Sequence, residues 1–321
     1  MNSLTRYGIG AGICAMLFFT GCSKTEEPSA APESTKEPSA AAKPIPTQPA
    51  QTFPNPDNAF TALVTAVRNS DRDSLGSILG VDFDEFVPTE QVDRADVEKF
   101  LAAYDESHKI LTETPQKAVL AVGANDWEFP IPLVESGATW TFDLDAGRET
   151  IVVRRIGRNE LDVIQTALAY CDAQREYAEK DRNGDRLLEY AQKFISTEGQ
   201  KDGLFWPGEG ADLSPLGPAL EEGVVAGEPY HGYGYRILTA QGPHAKGGAR
   251  NYMLGKRLSG GFAMIAWPAV YGDTGIMTFI VNHDGKVFEK DLGDDTETAA
   301  AAITTFDPDD TWKESKPEPL S

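Results

Sequence analysis

Disulfide bonds are the first thing this sequence lacks. Three cysteines occur in 321 residues. Cys14 and Cys22 lie in or beside an N-terminal apolar stretch, so only Cys171 remains for the body of the chain. A fold without disulfides must be held by its own core. The helical pattern around Cys171 marks its thiol as a core residue. Positive charge is scarce too, with 29 Lys and Arg against 50 Asp and Glu and a formal charge of −21. That balance excludes nucleic acid as a partner and disfavours electrostatic attachment to anionic lipid heads. Histidine is limited to four residues, none at zinc-ligand spacing to Cys or to another His. No HExxH helix, GxSxG elbow, SxxK pair or phosphate loop occurs. The sequence therefore names no catalytic residue, no metal site and no cofactor.

One long apolar run is present, from Tyr7 to Phe19, with Arg6 just before it. It is shorter than the about 20 residues of a spanning helix and matches the apolar region of a signal peptide. Phe19-Thr20-Gly21-Cys22 then resembles a lipobox. Small side chains fit a narrow peptidase site, and the thiol of Cys22 is placed for alkylation at the membrane surface. We read residues 1–21 as a lipoprotein signal peptide and Cys22 as the point of lipid attachment, palmitate included. Phe19 stands where Leu is usual. Ser23, rather than Asp, after Cys22 points to the outer membrane, facing the periplasm.

From Ser23 to Pro56 the chain is rich in Pro, Ala, Ser, Thr and Glu, and Glu27–Ala31 recurs as Glu37–Ala41. Such a composition buries too little surface to offset chain entropy, so residues 22–56 read as a disordered tether. Its full reach would be roughly 100 Å at the rise of a polyproline helix.

The remainder divides by pattern into an α+β lobe over 57–144, a helix-plus-antiparallel-sheet lobe over 145–312, and a disordered tail over 313–321. In the first lobe Asp57 is placed to cap a helix through Arg68, with Phe60, Leu63, Val64 and Val67 on one face. Short helices are expected at Asp73–Leu79 and Arg94–Ile110, then strands at Lys117–Gly123, Trp127–Val134 and Thr139–Leu144. His108 reads as a surface residue. By element order alone this lobe looks like the cone-shaped folds of the nuclear-transport-factor-2-like type. Arg148–Ile156 fits strand and helix equally. From Asn159 a long helix runs through Leu161, Ile164, Leu168 and Cys171. An Asp/Asn/Gly break at 181–185 follows, then a second helix from Arg186 to Ile195. Strands are expected at Gly232–Gln241, Gly261–Trp267 and in a hairpin over Ile276–Glu289 turned by Asp284-Gly285. A last helix is expected near Thr296–Thr304.

Two constellations invite chemistry. Asp181, Asn183 and Asp185 alternate like the first half of a calcium loop, but Arg186 and Gln192 stand where such a loop needs Gly and Glu. A turn with capping oxygens between two helices is the favoured reading. The other set is His231, Tyr233, Tyr235 and Arg236, with Asp202 and Trp206 proposed alongside. Alternation along a strand puts the two tyrosines on one face and Arg236 on the other. Such a groove would bind a wall polymer or a peptide strand. The competing reading is cross-strand aromatic pairs that support the sheet.

The segments Arg154–Leu161, Asp172–Tyr177, Asp202–Pro207, Tyr230–Tyr233, Tyr235–Gly242, Gly261–Ala263 and Asp291–Gly293 resemble a bacterial family catalogued as domain of unknown function 2950. The resemblance covers nearly all of the chain after the tether. It implies an exported protein of unassigned activity and supplies no catalytic residues. Ala173–Tyr177, the Asp-rich break, Glu189–Ala191 and Asp202-Gly203 are also similar, more weakly, to the heads of pilin-like pseudopilins. Two expectations remain. One is a non-enzymatic envelope module for a protein or wall polymer. The alternative is an envelope hydrolase or transferase centred near His231.

Overall fold

Asn55 starts the first helix by accepting the N–H of Asn58 on its side chain at 2.9 Å, with Pro56 at the first helical position. Asp57, expected as the cap, instead lies in the first turn of helix α1 (Pro56–Arg68), where its charge meets the helix dipole. The computed structural model describes residues 50–80, 94–208, 213–217 and 229–315. Cys22, the signal segment and most of the tether lie outside them. The tether's last residues do not: Phe53 is 5% exposed and exchanges two backbone hydrogen bonds with Trp140, at 2.8 and 2.7 Å. Its ring meets Phe142 edge-on. The composition of 22–56 hides this one anchoring aromatic, and the folded body begins before residue 57.

Helix α2 (Arg72–Leu79) is capped by Asp71 and stopped by left-handed Gly80. Helix α3 (Arg94–Glu106) ends before the expected Ile110, because β1 (His108–Thr114) leaves it to pair with β2 (Lys117–Val122). The expected strand over 127–134 breaks into β3 (Trp127–Glu128) and β4 (Leu133–Ser136) around Pro130 and Pro132, and β5 (Thr139–Phe142) follows. The order is β1-β2-β4-β5, antiparallel, with β3 beside β2. Phe60, Leu63, Ile78, Leu120 and Leu133 form the core under this sheet.

The ambiguous stretch over 148–156 is helical. Helix α4 (Leu144–Tyr177) has 34 residues, opens on an Asp143 cap and is about 50 Å long. Leu144 and Ile151 pack against the first core, while Val163 to Tyr177 enter the second. Helical pairing with two successive cores overrides the β-branched run Ile151-Val152-Val153, a nonlocal cause that no short window displays. The described residues all belong to one compact unit.

The second sheet is antiparallel, in the order β14 (Lys313–Glu314), β13 (Val287–Asp291), β12 (Met277–Asn282), β11 (Ala263–Pro268), β6 (Tyr233–Leu238). Two small ladders join β7 (Ala240–Gln241) to β8 (Arg250–Asn251) and β9 (Met253–Leu254) to β10 (Arg257–Leu258). Asp284-Gly285 turns the β12–β13 hairpin, with Gly285 at φ +75°. Helix α4 packs on β12 and β13, and helix α5 (Thr296–Ala302) packs on β11. The architecture is α+β. Among the described residues, no helix is long and apolar enough to cross a membrane.

The expected helix over 186–195 is absent. Arg186 adopts a left-handed φ of +67° as its N–H donates to Asp181, and Tyr190 pairs with Leu258. Ala191 exchanges hydrogen bonds with the fully buried side chain of Gln174. The spacing of Leu187, Tyr190, Ala191 and Phe194 imitates a helix. Their partners lie on other elements.

Candidate functional site

Tyr230 and Tyr233 exchange backbone hydrogen bonds across His231 and Gly232, whose φ values are +50° and +73°. That is a two-residue hairpin turn with both central residues left-handed, so the turn itself accounts for the conformation of His231. A Cβ on Gly232 would lie 2.8 Å from Asn159 and Thr274. His231 Nδ1 faces Asp162 Oδ2 of helix α4 at 3.4 Å, and Tyr230 meets the imidazole edge-on. Asp162 was missed in the sequence because 69 positions separate it from His231, and only the packing of β6 on the helix joins them.

Nearby polar groups of helix α4 tie down the loop before β12. Arg155 binds Asp273, and Asn159 donates to the carbonyl of Thr274. Glu160 accepts the N–H groups of Ile276 and Met277, both at 2.9 Å. Tyr233 is completely buried, with its hydroxyl donating to the carbonyl of Met277. Tyr235 donates to the carbonyl of Tyr230, and burial raises the pKa of both phenols. Both tyrosines face helix α4. Arg236 reaches the opposite side, where it binds the carbonyls of Ala300 and Ile303 at the end of helix α5.

Asp202 and Trp206 belong elsewhere. Trp206 is 5% exposed and lies under the guanidinium of Arg182, which also covers Tyr177. Asp162 and Tyr177 are about 22 Å apart along helix α4, so the six residues do not line one groove. Burial pushes the Asp202 carboxyl up, but hydrogen bonds from Lys193 and Thr197 outweigh it and hold the pKa below the usual range.

The Asp-rich break uses its oxygens internally. Asp181 accepts the N–H groups of Asn183, Gly184 and Arg186. Asp185 accepts that of Leu187 and binds Arg257. The loop thus joins helix α4 to an extended segment, where a turn between two helices was expected. Among the described residues, no cluster of three or more His, Cys, Asp or Glu side chains is arranged to hold a metal. Cys171 is buried, donates to the carbonyl of Asn282, and has its pKa pushed up to about 12 by that burial.

Unlike these self-paired sets, a cleft of ≈ 600 Å³ opens in the first lobe between helix α1, β1 and β5. Phe60, Tyr104, His108 and Trp140 form its aromatic walls. Its residues come from separate segments of the chain, which no short sequence window brings together. His108, expected at a helix end, begins β1 and stacks on Tyr104 with ring centres 3.9 Å apart.

No curated protein and no solved structure matches the chain. The family described as protein of unknown function, DUF2950, matches residues 50–315, from just before Phe53 to just after β14. The chain belongs to that family.

Proposed function

We propose that this protein is a cell-envelope lipoprotein, anchored by lipid on Cys22, whose body captures an extended segment of another envelope protein along strand β6. The observation that carries the reading is the edge of the second sheet. Tyr233 spends both of its backbone groups on Tyr230, away from β11, and the carbonyl of Thr239 accepts from Tyr252 on the same side. Alternation therefore turns the N–H and C=O groups of Tyr235 and Ile237 outward. They have no backbone partner among the described residues. An unpaired stretch between two closed ends is suited to strand addition.

Two measurements test it. Metabolic labelling with a palmitate analogue should mark the wild-type chain and not Cys22→Ser. In envelope pull-downs with the full chain, Ile237→Pro removes an outward N–H without breaking the ladder to β11. It should abolish capture of a partner that Ile237→Val retains. Equal capture by both variants would remove the edge from consideration.

A second reading, an envelope hydrolase or transferase, is favoured by the Asp162–His231 pair, a carboxylate facing an imidazole as an acid–base couple requires. It requires that His231→Ala and Asp162→Asn each abolish a turnover detected with wall fragments.

A further inference from the structure

We propose that the cleft of the first lobe is a second, independent binding site, and that it takes uncharged sugar rings of a glycan chain. It goes beyond strand capture at β6 and shares no residue with it. The cleft's ≈ 600 Å³ falls within the about 300–1,000 Å³ of small-ligand sites. Trp140 and the stacked Tyr104–His108 pair supply flat walls for the C–H faces of sugar rings, over a floor closed by the buried Phe60.

The polar groups around those walls are unspent. The carbonyl of Tyr104 lies 2.9 Å from His108 Nδ1 and requires a donor there, which leaves Nε2 as a free acceptor. The Asp57 carboxylate, the Thr112 hydroxyl and the Trp140 indole N–H have no hydrogen-bond partner among the described residues. Lys109, the cation of the cleft, is held by Asp126 at 2.7 Å. With that cation paired, the Asp57 carboxylate stands as an unpaired negative charge among the described residues, which disfavours anions. A lipid chain would strand these donors and acceptors without compensation. A polyhydroxylated, uncharged ring satisfies both the aromatic faces and the unpaired groups.

The test is isothermal titration of the full chain, in a detergent without sugar, with two probes. One is a β-1,4-linked N-acetylglucosamine oligomer, and the other is a β-1,4-linked glucose oligomer. Saturable binding of either is expected, and the preferred oligomer identifies an acetylated wall-type glycan or a plain glucan as the source. Trp140→Ala should weaken it at least about tenfold and Asp57→Asn about threefold, as lost stacking and one lost hydrogen bond imply. Asp57 is exposed and outside the core, so Asp57→Asn gives an answer even where Trp140→Ala unfolds. Absence of saturable binding by wild type at millimolar oligomer overturns the proposal. So does equal affinity in wild type and Asp57→Asn, or a loss that follows Ile237→Pro instead.

Discussion

Two regions of this molecule are made from the same kinds of residue. The corner where β6 meets helix α4 has Tyr230, His231 and Asp162, and the cleft of the first lobe has Tyr104, His108 and Asp57. They differ in what their polar atoms do. At the corner Arg155, Asn159, Glu160, Tyr233 and Tyr235 each bind a named partner, and Gly232 and Gly275 leave no room for a further atom. Among the described residues, the outward backbone groups of Tyr235 and Ile237 are left over there. In the cleft Tyr104, His108 and Trp140 line open space, and a carboxylate, a hydroxyl and an indole N–H have no partner among the described residues. A polar side chain that is fully paired contributes to the fold, whereas one left unpaired on a concave aromatic surface retains its capacity for a ligand.

Substitutions can break that division. The largest effect is expected at Gly275, where a Cβ would lie 2.0 Å from the buried, hydrogen-bonded Tyr233 hydroxyl. Gly275→Ala should destabilise the chain by about 3 kcal/mol, because the ring has no space to yield. Urea melts would measure this. Reaction of Cys171 with a thiol reagent would report it independently, since that buried thiol reacts only on opening. Glu160→Ala should follow at about 2 kcal/mol, because one carboxylate oxygen serves two N–H groups. Thr112→Val and Asp57→Asn in the cleft should stay within about 0.5 kcal/mol of wild type. A large loss there would assign the cleft side chains to the fold and erase the contrast.

Local signals explain why parts of the fold were legible. Helix α2 and its Gly80 stop, the Asp284-Gly285 hairpin and helix α5 each depend on residues adjacent in sequence. The errors occur where a distant partner decides. Gln174 holds Ala191 in extended backbone, so a helical spacing over 186–195 misleads. Phe53 gains order from Trp140, 87 positions away, inside a segment whose composition speaks only of disorder. The site residues were legible as types and not as a set. Tyr233, Tyr235 and Arg236 take the faces that alternation assigns. Asp202 and Trp206 are remote from His231, and the carboxylate beside it comes from another element. The cleft is assembled from α1, β1, β5 and the end of α3, a convergence that no sequence window contains.

The smallest expected effect concerns the remaining surface histidine pair, and it tests whether an exposed, paired group also serves the fold. His244 donates its backbone N–H to the Asp307 carboxylate at 2.7 Å, and its Nδ1 lies 3.0 Å from the same carboxylate. The Asp307 hydrogen bond and then its charge raise the His244 pKa, with Asp309 and Asp310 adding to the effect. A raised folded-state pKa means that protonation favours the folded chain. The contribution is therefore complete below the unfolded value of about 6.5 and disappears as pH rises through the folded value. Wild type minus His244→Gln is the right quantity, because the other acidic groups cancel in the difference. The gap in melting temperature should be positive near about pH 5 and shrink towards about pH 8. Asp307→Asn in both backgrounds should flatten it. A gap that grows with pH would have the wrong sign for this pair and would place the anchoring of the Gly242–Gly248 loop on Asp307 and its backbone bond alone.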